Sequence, residues 1–246
     1  MDEYTDKKIS LIILSFLLIG LISFFCFAML FTAAGYNTFS FSENANAPVS
    51  YYCKKTIIID PGHGGEDPGA VLGDIKEKDI NLGISLLIGQ LFESNGYNVV
   101  YTRTDDRMLY NPGEENRKKH FDLYNRVLIA SEYEDCILVS IHVNRFSSPK
   151  YNGAQVFYSS NSPKSEELAN HIQKRIKTLQ PDNNRASKNS GSSIYLLDKF
   201  EGTAVLIECG FISNDYEREM LCDTNYQRNF AISVYIAVTE YLNGEI

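Results

Sequence analysis

Several things are scarce in this chain, and each scarcity closes off a class of function. Positive charge is outnumbered: 23 Lys and Arg stand against 31 Asp and Glu, a formal net charge of −8. No basic field gathers nucleic acid, so no nucleic-acid partner is expected. There is no phosphate loop, neither GxGxxG nor GxxxxGK[ST], although glycines cluster at 62–65. The cysteines, Cys26, Cys53, Cys136, Cys209 and Cys222, include no CxxC pair and form no even framework outside the N-terminal run. Cys136 and Cys209 sit in apolar strand contexts and are expected as buried free thiols. Internal repeats and low-complexity runs are absent as well.

Charge disappears entirely from Ile9 to Ala34, a run of 26 residues. About 20 apolar residues span a bilayer, and a signal-peptide core is only about 7–15 long. The run is therefore expected to be a retained transmembrane helix. Thr32-Ala33-Ala34 resembles a cleavage site and keeps an uncleaved or cleaved signal as the alternative. Lys7 and Lys8 flank its start, which favours a cytoplasmic N-terminus and places the rest of the chain outside the cytoplasm. Residues 35–53, rich in Asn, Ser and Ala, read as a flexible tether. The expected organisation is a stub and anchor over 1–34, the tether, and one folded domain over 54–246.

Within that domain hydrophobic periodicity alternates between strand and helix. Ile57-Ile58-Ile59 reads as a fully buried strand over 56–60, stopped by Asp60-Pro61-Gly62. A polar stretch leads to a helix over 79–94, with Ile80, Ile84, Leu87, Ile88 and Leu91 on one stripe and Gly96 ending it. A strand follows at 98–102, then a polar loop at 103–121 and a helix at 122–132. Strands are expected at 137–141, 154–158, 194–197 and 204–207. Helices are expected at 163–179, with Ser162 as N-cap and Pro163 at N1, and at 226–242. Asn214 with Glu217 resembles a capping box. The pattern predicts an α/β fold: a single domain with a mostly parallel central sheet flanked by helices.

Polar residues gather where these strands end. His63 follows the first strand, His142 another, and Glu208 a third, while Glu77 stands just before the first helix. The carboxyl ends of strands in an open α/β sheet converge on one cleft, so residues far apart in sequence meet there. Two histidines and a carboxylate, with a position left open, form the ligand set of a catalytic zinc site, and a second carboxylate nearby serves as general acid and base. Each residue also has a structural reading. Glu77 would favour the helix dipole, His142 would be a satisfied strand-end histidine, and Glu66, Asp67 and Asp74 are rival ligands. Glu208, after an apolar run, is a costly carboxylate to bury unless it is paired. His120 and His171 read as surface residues. Spacing leaves open which carboxylate is ligand and which is base.

Five motifs in order carry a resemblance: Asp60-Pro61-Gly62-His63-Gly64-Gly65, Glu77-Lys78-Asp79, Thr102-Arg103, Ser140-Ile141-His142-Val143-Asn144 and Glu208-Cys209-Gly210-Phe211-Ile212-Ser213-Asn214. Over residues 55–243 they resemble the zinc-dependent N-acetylmuramoyl-L-alanine amidases of the third amidase family. The resemblance implies one Zn2+ per chain on His63, Glu77 and His142, with Glu208 as the catalytic glutamate. Arg126 and Asn144 are its candidate substrate-binding residues, with a structural salt bridge as the other role for Arg126. Ser148–Gln155, Asn184–Lys188 and Ile194–Leu197 are similar to the germination-specific spore-cortex amidases. Those act on peptidoglycan glycan strands with stem peptides, in partnership with a deacetylase, to make muramic-δ-lactam, and in clostridial relatives with an accessory lipoprotein. The implied localisation is a membrane-anchored enzyme facing the cell surface or the forespore intermembrane space. Val143 departs from the family, where a smaller residue is common, and no autoinhibitory helix insertion is evident. A glycan strand calls for an open groove, with 103–121 and 144–153 as candidate walls. The rival functions are a non-catalytic zinc-containing peptidoglycan-binding module and a zinc deacetylase acting on a peptidoglycan sugar.

Overall fold

The structure is a computed structural model that describes residues 55–244. The anchor and tether expected over 1–53 lie outside the described residues. Among those described, no helix is long and apolar enough to cross a membrane.

Strand β1 (Ile57–Pro61) is buried along its whole length. It lies between β4 (Val99–Tyr101) and β5 (Ile137–Asn144), both parallel to it. β5 pairs in parallel with β8 (Thr203–Phe211). β6 (Gln155–Tyr158) then adds antiparallel to β8, and the two-residue β7 (Lys188–Asn189) closes the edge. The sheet order is β4-β1-β5-β8-β6-β7. Continuous apolar runs suit these central strands because both faces are covered. On one face Ile57, Ile59, Val139 and Ile207 pack with α1 (Glu77–Ser94), α3 (Pro163–Leu179) and α6 (Thr224–Asn243). On the other, Ile58, Leu138 and Leu206 meet α2 (Lys118–Ser131) and the short α4 (Tyr195–Lys199). This is the expected single α/β domain with a mostly parallel sheet between helices.

Local differences from the sequence reading have physical causes. Residues 194–197, expected as a strand, instead enter α4, whose Leu196 and Leu197 are both buried. A four-residue apolar run carries no periodicity that separates strand from buried helix. α2 begins at Lys118, following a 3₁₀ turn at Glu115–Arg117, and not at 122 as expected; its first turn is polar and mostly exposed and so carries no apolar signal. The polar stretch before α1 contains a small hairpin, β2 (Val71–Leu72) and β3 (Ile75–Lys76), turned by Gly73 at φ 59°. Ser162 holds the N-cap position of α3 but makes no side-chain cap bond. Asn214 does cap α5 (Asp215–Cys222), accepting from the Glu217 amide at 3.1 Å. The box does not close, however. The Glu217 carboxylate is taken by the amides of Gly153 (2.7 Å) and Phe211 (2.8 Å), tying the loop before β6 to the end of β8. Cys136 and Cys209 are buried free thiols, and Cys222 is free and exposed.

Candidate active site

β5 and β8 run further than their apolar stretches suggest. His142 and Glu208 therefore lie inside the strands, directly opposite each other in the parallel ladder. In both strands the residue is the half-buried position after a run of five buried ones. A register shift between His142 and Asn144 follows, where pairing starts to end.

His63, Glu77 and His142 come together: one ligand atom from each lies within 4.8 Å of the others. Glu77 Oε1 is 2.9 Å from His142 Nδ1 and 3.2 Å from His63 Nε2. The same oxygen accepts from Asn81 Nδ2 and the Val143 amide, each at 3.2 Å, and Oε2 accepts from the Ala70 amide at 2.7 Å. The two imidazoles meet edge to face at 4.9 Å. Asp67 lies behind His63, its Oδ2 2.9 Å from Nδ1. With Nδ1–H donating there, Nε2 presents its lone pair to the Glu77 carboxylate, and an electron-rich gap remains that a cation satisfies. Burial would lower the His63 pKa, but Asp67 and Glu77 raise it to about 9. Burial likewise opposes the charge on Glu77, yet His142 and His63 hold its carboxyl well below the usual range. The donor set, two nitrogens and one carboxylate oxygen, fits a divalent transition metal.

The backbone is shaped around these rings. A Cβ on Gly62 would run into the His142 ring, and one on Gly69, at φ 64°, would meet Glu77 Oε2 and the His63 ring. His63 itself sits at φ 60°, a conformation that costs of the order of 1–3 kcal/mol and persists only where its surroundings enforce it. Two buried arginines do so. Arg103 donates to the carbonyls of Pro61, Gly62, Lys78 and Asp105 at 2.9–3.0 Å. Arg126 donates to the carbonyls of Pro61 (2.8 Å) and His63 (2.7 Å) while pairing with Asp60 (2.7 Å) and Asp122 (2.9 Å). Asp60 also accepts from Thr102 and Ser140, both at 2.6 Å. Burial pushes the Asp60 carboxyl up, but Arg126 and the two hydroxyls more than offset this and bring it down to about 2.

Glu208 faces the cluster from β8. Its Oε2 is covered and has no hydrogen-bond partner among the described residues. Burial pushes its carboxyl up to about 7; Glu77 adds to the rise, while His142, His63 and Arg185 pull against it. A cleft of about 330 Å³ opens over the group, lined by His63, His142, Glu208, Lys119 and the segment Ser193–Leu196. Of the expected walls, 103–121 contributes Lys119 and 144–153 contributes none of the lining residues. Segment 193–196 was not anticipated, because read as a strand it offered no wall. Asn144 ends β5, its carbonyl accepting from the Ile212 amide at 2.9 Å. Glu66 and Asp74 take no part in the cluster. His120 is exposed, and His171 is half-buried against Tyr241. Sequence reasoning considered Asp67 only as a rival ligand and missed Asn81, although four residues past Glu77 on a helix is the position that reaches it.

Known proteins resemble the chain across this domain. The chain is 35% identical over 189 residues to the germination-specific N-acetylmuramoyl-L-alanine amidase of Bacillus subtilis, covering 76% of this chain and 79% of that one. The solved structure of the CwlD amidase from Clostridioides difficile, in complex with the GerS lipoprotein, superposes with a TM-score of 0.74 at 43% identity and covers 78% of this chain and 100% of that chain. The catalytic domain of CwlV from Bacillus (Paenibacillus) polymyxa var. colistinus gives 0.67 at 30% identity, covering 77% and 98%. The family model for N-acetylmuramoyl-L-alanine amidase matches residues 57–240, the span from the start of β1 to the last turns of α6, and the chain belongs to that family of amide hydrolases.

Proposed function

We propose that the chain hydrolyses the amide between the lactyl group of N-acetylmuramic acid and the L-alanine of a stem peptide in spore-cortex peptidoglycan. The observation that carries this reading is the convergence of His63, Glu77 and His142 on one point beside the unpartnered carboxylate oxygen of Glu208. His63 Nε2, His142 Nδ1 and Glu77 Oε1 would hold one Zn2+. When bound, zinc supplies Lewis acidity that polarises a carbonyl and acidifies water. Asp67 fixes the His63 tautomer, and Asn81 with the Val143 amide fixes Glu77. Glu208 Oε2, free of other bonds, accepts the proton of the attacking water and returns it to the departing alanine amine.

The test is a digest of cortex fragments analysed by mass. Release of stem peptide supports the amidase. Loss of acetyl with the peptide retained points to a sugar deacetylase, and binding without any product points to a binding module. In the same digest an added peptidoglycan deacetylase should convert the peptide-free muramic acid to its δ-lactam. His142→Ala removes one of three ligands and should abolish bound zinc under conditions where the parent retains about one ion per chain. Unchanged zinc content in that variant would overturn the ligand set.

The Clostridioides difficile relative was solved with a lipoprotein, which supports an accessory lipoprotein for this chain too. The uncharged run 9–34 supports a membrane anchor that holds the domain outside the cytoplasm. The expected result is recovery of the protein with membranes from cells and release by detergent. A mature protein starting after Ala34 would refute the anchor.

A further inference from the structure

Arg185, between α3 and β7, is held at three points. Its Nε donates to the Asn152 carbonyl and its Nη1 to Gln155 Oε1, both at 2.8 Å. Its flat face lies over the Phe211 ring, with Cζ 4.6 Å from the centroid. Nη2 has no bonded acceptor among the described residues. The anchors are themselves parts of the site's frame. Gln155 stands directly opposite Glu208 in the β6–β8 ladder, and Phe211 ends β8 three residues beyond Glu208. The guanidinium is therefore tied, through Gln155, to the strand position that neighbours Glu208 in the sheet.

This arrangement is more than bracing requires. A guanidinium already pinned through Nε, Nη1 and its stacked face has lost most of its freedom, so its remaining N–H edge is preorganised for an acceptor. Phe211 continues into Tyr151 (6.5 Å between centroids), Tyr151 packs against Phe146 (4.6 Å), and Lys150 lies over the Tyr151 ring at 5.4 Å. Phe146 and Tyr151 remain 52% and 37% exposed. The result is two open aromatic rings, Phe146 and Tyr151, joined to the buried Phe211 at the end of the Glu208 strand and accompanied by two positive charges, in a chain whose overall charge is negative. The ligand such an arrangement suits is an extended group bearing a carboxylate.

We infer that Arg185 is a specificity-determining residue whose free Nη2 edge receives a carboxylate of the stem peptide on the leaving-group side of the scissile amide. This rests on the amidase reading above. The residue after L-alanine offers that carboxylate when it is D-glutamate linked through its side chain, and offers a neutral carboxamide when the same group is amidated. A site built to bind the anion discriminates against the amide, whose oxygen still accepts but carries no charge to strengthen the bond.

The experiment uses the zinc-loaded full chain in detergent and two glycan fragments that differ only in this carboxylate or carboxamide. The parent should show kcat/KM at least about tenfold higher for the acid, the range of a charge-assisted hydrogen bond. Arg185→Gln should bring the acid-to-amide ratio of kcat/KM close to one, mainly by raising KM for the acid. Arg185→Lys, which keeps the charge but not the fork, should retain part of it. Equal rates of the parent on both fragments would overturn the inference. So would an Arg185→Gln variant that loses rate equally on both, the mark of a brace alone, or one that keeps the preference. Hydrolysis of neither fragment by the parent would instead defeat the amidase reading itself.

Discussion

Glu208→Gln should leave the fold and the bound zinc intact and reduce turnover by at least about 10²–10⁴-fold, the usual worth of general acid–base catalysis. Gln is nearly isosteric with Glu, so packing beside Cys209 and Phe211 is preserved. Oε2 makes no hydrogen bond among the described residues, so the substitution breaks no bond at that atom. Burial works against the carboxylate's charge, and a neutral amide removes that penalty; the melting temperature should stay level or rise. The variant cannot take a proton from water. A ligand role predicts something else, because zinc affinity would then fall along with activity. A purely structural role predicts a change in stability with the rate retained. Zinc occupancy, melting temperature and rate of peptide release, measured on one preparation, separate the three. Activity within tenfold of the parent at full zinc occupancy would falsify the catalytic assignment.

The parts of the molecule that could be read from sequence are those whose signal is local. The triple isoleucine of β1 and the apolar runs of β5 and β8 announce buried strands. Pro163 and the apolar stripe through Leu168, Ile172 and Ile176 gave α3 its bounds, 163–179. The strand-end polar residues were visible because each interrupts or ends such a run. Signals that depend on pairing were not visible. The extensions of β5 and β8 past the apolar stretch come from their mutual ladder, so His142 and Glu208 were placed after strands that in fact contain them. The fate of Glu217 was hidden for the same reason. A carboxylate three residues after Asn214 looks like half of a capping box, but the amides of Gly153 and Phe211, brought by other elements, compete successfully for it. α4 was misread because four apolar residues pack equally well against the sheet from either conformation.

The supports of the site were the least legible part, and they carry the second large effect. Arg126→Leu should destabilise the domain by about 3–5 kcal/mol, the cost of breaking a buried ion pair from one side. Arg126 and Asp60 are each about 2% exposed, and they come from positions 66 residues apart. Without the guanidinium, Asp60 and Asp122 are left facing each other in the core, and the carbonyls of Pro61 and His63 lose their donors. For a domain of this size the loss corresponds to a fall in melting temperature of roughly 6–20 °C. The His63 carbonyl also loses the bond that helps hold the residue at φ 60°, so zinc affinity should drop with stability. Its dependence on pH has a definite sign. In the parent the Asp60 carboxyl is depressed to about 2. Its stabilising contribution is therefore complete above the unfolded value, near about 4, and is lost as pH falls through about 2. In the variant the buried Asp60 has lost its ion-pair partner, and its neutral form becomes more favourable. Acidification then relieves it, and the stability gap between parent and variant should narrow as pH is lowered from about 4 toward about 2. Chelator-treated protein, unfolded by denaturant at a series of pH values, gives this gap free of metal linkage. A gap below about 1 kcal/mol at neutral pH, or one that widens in acid, would show that Arg126 is not the strut beneath His63.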